Sequence, residues 1–281
     1  MVTKSIDYYT TKFLIWLIMF LLTTFLMFVI IMNIYYGIYI NKSFQLIKTI
    51  EKKYNAKLIY VKDVNTRHID KILMLIYKNY IVSINDNNSL RHILQKNSNQ
   101  KILLIIKSIG GYISSSDSML NLLSSHNCNK IAYIPSYAMS AACLLALACD
   151  KIYMNKYAAI GPTDPQITVL DETISFRVIQ TLIENKSINN IDDKVLINYY
   201  DSKILNDENI NSITKYVNKH KKKNISNDQV NELINKFSYG NIPHHTEITP
   251  NYLTKFLNIN NDIPNDILCV YKLINYIFEM Y

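Results

Sequence analysis

Residues 131–154, IAYIPSYAMSAACLLALACDKIYM, leave the chain little freedom of fold. Residues 131–135 are a short apolar run closed by Pro135, the pattern of a buried strand that stops at a turn. Ser136 and Tyr137 make the turn. Residues 140–149 are rich in Ala and Leu, with small side chains at Ala141, Ala142, Ala146 and Ala148, which predicts a helix thin enough to lie tight against a sheet. Residues 151–154 return as a second strand.

The same alternation runs through the first two thirds of the chain. Residues 58–61, 81–84 and 101–107 read as short apolar strands, with helical patterns over 69–77, 89–95 and 114–123 between and after them. Strands alternating with helices predict an α/β fold with a mostly parallel sheet. Beyond residue 174 the pattern turns helical, over 171–186, 193–206, 208–222 and 227–237. A last apolar run, 267–277, is too short and interrupted for a membrane span and reads as packing or subunit contact.

Residues 13–32 contain no charge and only Thr23 and Thr24 as polar interruptions. At about 1.5 Å per residue such a helix spans a hydrocarbon core of about 30 Å. No small-residue cleavage site follows it, and Tyr35 and Tyr36 suit an interface, so the reading is an uncleaved single-pass anchor in contact with lipid. The expected division is an N-terminal segment, residues 1–40, and one domain, 41–281. Lysines are more numerous after the anchor than before it, which favours a cytoplasmic domain.

The formal net charge of +8 comes with many Asn and Ile residues, a biased composition rather than a nucleic-acid-binding patch, and no nucleic-acid partner is expected. The densest basic run, residues 219–223, reads as a solvated helix end. Cys128, Cys143, Cys149 and Cys269 form no CxxC or Cys/His cluster. Neither a metal nor an organic cofactor is expected, and the four read as reduced core thiols.

In a parallel sheet, sites lie at the carboxyl ends of the strands, where Gly110-Gly111 and the Ser140 turn both fall. Only five glycines occur in the chain. Two of them side by side after a strand let backbone N–H groups face outward with no Cβ in the way. Ser140 has two readings. One is an ordinary N-cap, the commoner job for serine at a helix start. The other is a nucleophile beside free N–H groups and the positive end of a helix dipole.

Gly110-Gly111, residues 138–141 (AMSA), residues 145–154 (LALACDKIYM) and residues 161–166 (GPTDPQ) resemble the serine dehydrogenase proteinase family. That family groups with signal-peptide-peptidase A and the Clp proteases in the crotonase-like superfamily. The resemblance extends to residues 183–186, 191–193, 242–245, 248–249 and 263–264, and so covers most of 41–281 and the membrane-anchor arrangement. It implies a Clp/crotonase-like fold with a helical C-terminal region and one N-terminal transmembrane helix. It also implies a serine peptidase acting on polypeptide and assembling as a homo-oligomer. Two departures stand out. The family usually has Thr-Pro before the glycine pair, where this chain has Ser108-Ile109. It usually has Gly-Gly-Thr after the serine, where Ala141-Ala142-Cys143 adds methyl groups near the oxyanion site.

The resemblance assigns the nucleophile to Ser140 and the oxyanion hole to N–H groups of Gly110 or Gly111 and Ala141. The loop after the next strand holds no histidine, and relatives with a lysine base point to Lys186, 46 positions after the serine. His244 and His245 fall at a histidine position of the family's C-terminal segment, as an alternative base or orienting group, and Asp164 could orient a base or cap a turn. Two other readings stay open: a catalytically inactive scaffold, and an acyl-CoA enzyme of the crotonase type.

Overall fold

Residues 102–106 are buried at every side chain because both faces of the sheet that contains them are covered. The computed structural model describes residues 2–63, 67–169, 172–238 and 242–279. Its first half runs α1 (Val2–Tyr54), β1 (Ala56–Lys62), α2 (His68–Ile76), β2 (Ile81–Ser83), α3 (Asn87–Lys96), β3 (Lys101–Lys107) and α4 (Ile113–Ser125). The centre follows with β4 (Lys130–Ile134), β5 (Tyr137–Ala138), α5 (Ala141–Ala148), β6 (Lys151–Met154) and β7 (Ala159–Ile160). Then come β8 (Gln166–Val169), β9 (Glu172–Ser175), α6 (Phe176–Asn185), α7 (Asp193–His220), α8 (Asn227–Ser238), α9 (Pro250–Leu253), β10 (Ile259–Asn260) and α10 (Asn265–Glu279).

Six strands form one sheet in the order β10-β6-β4-β3-β1-β2, every pair parallel. The longest ladder sets Ala56 opposite Lys101 and Lys62 opposite Lys107. Alternation along the strands divides the core in two. Ile59, Val61, Ile102, Leu104, Ile106, Ala132 and Ile134 face α3, α4, α5, α7 and α8. Leu58, Tyr60, Leu103, Ile105 and Tyr133 face α1, α2 and α10. Two covered faces explain why the strands read as unbroken apolar runs. The α/β class and the mostly parallel sheet are as the sequence predicts.

α1 is one continuous helix of 53 residues. Its apolar part has mean hydropathy 2.8, is long enough to cross a membrane, and is not packed against the protein. The C-terminal part of the same helix belongs to the domain. Tyr36, Ile47 and Ile50 are buried, the Tyr36 hydroxyl donates to the Ile277 carbonyl at 3.2 Å, and Lys53 pairs with Asp266 at 2.6 Å.

Four expectations change. Residues 171–186 do not form one helix: β8 and β9 make an antiparallel hairpin there, leading into α6, and its turn, residues 170–171, lies outside the described residues. The two helices expected over 193–206 and 208–222 are one, α7, because the polar residues at its middle continue a helical face rather than break it. The basic run at its end is not simply solvated. The Lys219 ammonium donates to the Ala148 carbonyl and to Asp150, both within 2.9 Å, buried His220 donates from Nε2 to the Leu147 carbonyl, and Lys222 bonds the Thr254 carbonyl. The bonds from Lys219 and His220 satisfy the last carbonyls of α5, which have no partner inside their own helix. The cysteines also differ: Cys143 and Cys149 are core thiols, burial pushing Cys149 up to about 12, whereas Cys269 is exposed and Cys128 half-buried.

Candidate active site

Ser140 sits where β5 ends and α5 begins, with φ +50° and ψ −124°. A serine in this region is uncommon and carries strain of about 1–3 kcal/mol that the surroundings must hold in place. The side chain makes no capping bond to its own helix, which removes the N-cap reading and leaves the hydroxyl at the cavity wall. The main chain is fixed on both sides. The Met139 N–H donates to the Ser108 carbonyl at 2.9 Å, and the Ser140 carbonyl accepts from the Cys143 N–H at 2.9 Å. β5 also pairs with β7, and Ala138 bridges Ser108 at the end of β3.

That bridge brings the glycine pair against the serine. Gly110 has φ +111°, and a Cβ placed on it would stand 2.7 Å from Ser140 Cβ and 3.2 Å from Ser140 Oγ. Only glycine fits this position, for its backbone angle and for its closeness to the serine. A Cβ on Gly111 would likewise collide with the Asn85 side-chain amide and with Ile84. Asp63, just past β1, secures the loop: one carboxylate oxygen accepts from the Ser108 hydroxyl at 2.6 Å and the other from the Ile109 N–H at 2.9 Å. Asn85 does the same from the other side by accepting from the Tyr112 N–H at 2.9 Å. Neither Asp63 nor Asn85 stands out in the sequence. The signal that could have found them is position, since each follows the end of a parallel strand.

The Gly110 N–H is used inside this loop, donating to the Ser108 hydroxyl at 3.1 Å. Of the three expected oxyanion donors, that leaves the N–H groups of Gly111 and of Ala141, the first residue of α5, whose N–H has no partner within the helix. Ala141 lines the cavity, while Ala142 is fully buried behind it.

The cavity has a volume of about 350 Å³. Ser140, Asp164 and His244 all line it. Asp164 is 3% exposed. One of its oxygens accepts from His244 Nδ1 at 2.8 Å, the other from the Gln166 amide at 2.8 Å. A carboxylate can only accept, so the proton of neutral His244 sits on Nδ1 and Nε2 keeps its lone pair. The loop is anchored by Thr163, whose N–H donates to the Phe237 carbonyl at 2.7 Å. Among the described residues no hydrogen bond joins Ser140 Oγ to His244.

The other two expected residues lie elsewhere. Lys186 is exposed at the C-terminal end of α6 and lines a separate surface depression with Arg177, Val178 and Asn185. His245 is exposed and does not line the cavity. Among the described residues, no group of three His, Cys, Asp or Glu side chains is placed to hold a metal ion.

Comparison with known proteins gives three findings. The family described as ClpP-like SDH-type serine proteinase matches residues 4–280. Two uncharacterized proteins of Methanocaldococcus jannaschii, MJ0137 and MJ1495, are 28% and 29% identical over 70% and 71% of this chain, which spans 66% and 64% of their lengths, a little under two thirds. Among solved structures, two mutants of the 1510-N membrane-bound stomatin-specific protease, one in complex with a substrate peptide, align at TM-scores of 0.42 and 0.43. They are 13% and 14% identical, with 76% of this chain covered and 84% and 80% of theirs.

Proposed function

This chain belongs to the ClpP-like SDH-type serine proteinases, and on that premise we propose that it is a membrane-anchored peptidase in which Ser140 is the nucleophile and His244, oriented by Asp164, is the base. The observation that carries this reading is the buried Asp164 bonded to His244 Nδ1 on the wall of the cavity that holds Ser140. His244 Nε2 takes the Ser140 proton as Oγ attacks a peptide carbonyl. The oxyanion is held by the N–H groups of Gly111 and Ala141. His244 then protonates the leaving amine, and a water, deprotonated by the same nitrogen, hydrolyses the acyl-enzyme. Lys186 is exposed and lines a separate surface depression rather than the cavity that holds Ser140, which favours His244 as the base.

The anchor reading rests on residues 13–32, exposed and apolar over about the thickness of a bilayer core. The lysine distribution around them supports a cytoplasmic domain. Homo-oligomer formation is supported by apolar residues exposed along single helix faces: Val178 and Leu182 on α6, and Ile197, Tyr200 and Ile204 on α7.

Covalent labelling of the detergent-solubilised protein by a fluorophosphonate tests the site. Wild type labels, Ser140→Ala does not, His244→Ala loses labelling, and Lys186→Ala retains it. Labelling that survives His244→Ala but is lost in Lys186→Ala moves the base to the lysine. A folded wild type that never labels overturns the peptidase reading.

A further inference from the structure

The cavity around Ser140 differs in charge from the chain that encloses it. The protein has a formal net charge of +8, yet among the described residues the cavity is lined by Asp117, Asp164 and Glu208 and by no lysine or arginine. Asp164 is engaged with His244 and Gln166. Asp117 on α4 and Glu208 on α7 have no ion pair among the described residues. Burial, and then the nearby Glu208 carboxylate, raise the Asp117 pKa, so the two acids repel one another across the cavity wall.

Beside them is a second, independent feature. Leu205, Glu208, Asn209 and Ser212 line the cavity and follow helical spacing, so one face of α7 forms this wall. Asn209 is 8% exposed, and both its Oδ1 and its Nδ2 are buried without a hydrogen-bond partner among the described residues. Fully orphaned buried amides are rare because each lost bond is costly, and one on a cavity wall points to a ligand that completes it.

We propose that Asp117, Glu208 and Asn209 form a subsite for the lysine or arginine side chain of a polypeptide, next to the bond that Ser140 attacks; this rests on the peptidase reading of the same cavity. An ammonium or guanidinium only donates. Asn209 Oδ1 and the two carboxylates only accept, and charge-assisted bonds in a partly dehydrated site are the strong ones. Asn209 Nδ2 remains to donate to a substrate carbonyl. An acidic side chain meets like charge here, and an apolar one leaves the amide unpaired.

Two assays separate this subsite from the peptidase reading. In the first, peptide aldehydes compete with fluorophosphonate labelling of the full chain in detergent. Leu-Leu-argininal is expected to be roughly tenfold or more stronger than Leu-Leu-norleucinal, with Leu-Leu-glutamal weakest. The preference falls toward unity in the Asp117→Asn/Glu208→Gln double variant and in Asn209→Leu, and turns toward the glutamal in Glu208→Lys. Equal potency of the three aldehydes in a wild type that labels overturns the subsite and leaves the nucleophile intact. In the second, fluorescent Leu-Leu-agmatine and the same peptide capped with isopentylamine are titrated against Ser140→Ala by anisotropy. Tighter binding of the agmatine peptide supports the subsite even if wild type never labels, and equal binding overturns it.

Discussion

Replacing Gly110 by alanine tests the reasoning that the glycine loop is built around the serine. The new Cβ would stand 2.7 Å from Ser140 Cβ and 3.2 Å from its Oγ. Ordinary carbon contacts lie near about 3.5–4.0 Å. Relief therefore requires a displacement of about 1 Å, and the closest atoms in the way belong to the serine side chain and to the Met139 carbonyl at 3.1 Å. The φ of +111° adds strain of about 1–3 kcal/mol. About 2 kcal/mol corresponds to a fall in Tm of about 4–8 °C for a domain of this size. A misplacement of about 1 Å at a reacting atom costs roughly a hundredfold in rate. The expected result is a folded protein, moderately less stable, whose second-order rate of fluorophosphonate labelling falls roughly a hundredfold. Gly37→Ala is the control: nothing lies within 4 Å of its added Cβ, and alanine favours the helix by about 1 kcal/mol. A Gly110→Ala protein that melts lower yet labels at the wild-type rate refutes the proposed closeness of loop and nucleophile.

Three further outcomes follow from the same geometry. Asp63→Asn cannot accept at both oxygens, so it loosens the bonds to Ser108 and Ile109; labelling should drop about tenfold with a stability loss of about 1–2 kcal/mol, measured together by labelling rate and urea unfolding. Burial lowers the pKa of His220, so as pH falls below about 6.5 the unfolded chain takes up a proton that the folded one refuses, and stability falls by up to about 1.4 kcal/mol per pH unit. His220→Gln can keep the bond to the Leu147 carbonyl without titrating, so its Tm should decline less than that of wild type between pH 7 and 5; parallel curves refute the assignment. Leu104→Ala, at a fully buried position of β3, should cost about 2–5 kcal/mol in chemical denaturation, and a cost under about 1 kcal/mol would mean that the face of the sheet packed on α4 and α5 is not covered.

Much of the fold is legible from local signals. The strands over residues 101–107 and 151–154 have the bounds expected from the sequence, because the interior of a doubly covered parallel strand is apolar and the lysines mark where it leaves the core. The β8–β9 hairpin was not legible. Its strands mix polar and apolar residues and draw stability from α6 and α7, through Ile167, Ile174, Ile179 and Val195, rather than from their own pattern. The two halves of α7 read as separate helices because the polar residues between them suggest a break. Packing against α5 and α8 continues the helix through it.

The sequence by itself determined the parallel α/β sheet, the apolar helix at the N-terminus, and a serine and a glycine pair each placed at a strand end. Each of these follows from side-chain chemistry within a few residues. What only the tertiary structure decided is what surrounds the serine. His244 meets an aspartate eighty residues away, Asp63 at the end of β1 holds the glycine loop that follows the neighbouring β3, and Asn209 lines the cavity from a helix that arrives late in the chain. Lys186 stands outside that cavity although its place in the sequence suggested otherwise. The physical reason is one of scale. Periodicity and turn chemistry act within one element, whereas the partner that reaches a nucleophile depends on how separate elements close around it, and no local pattern encodes that distance.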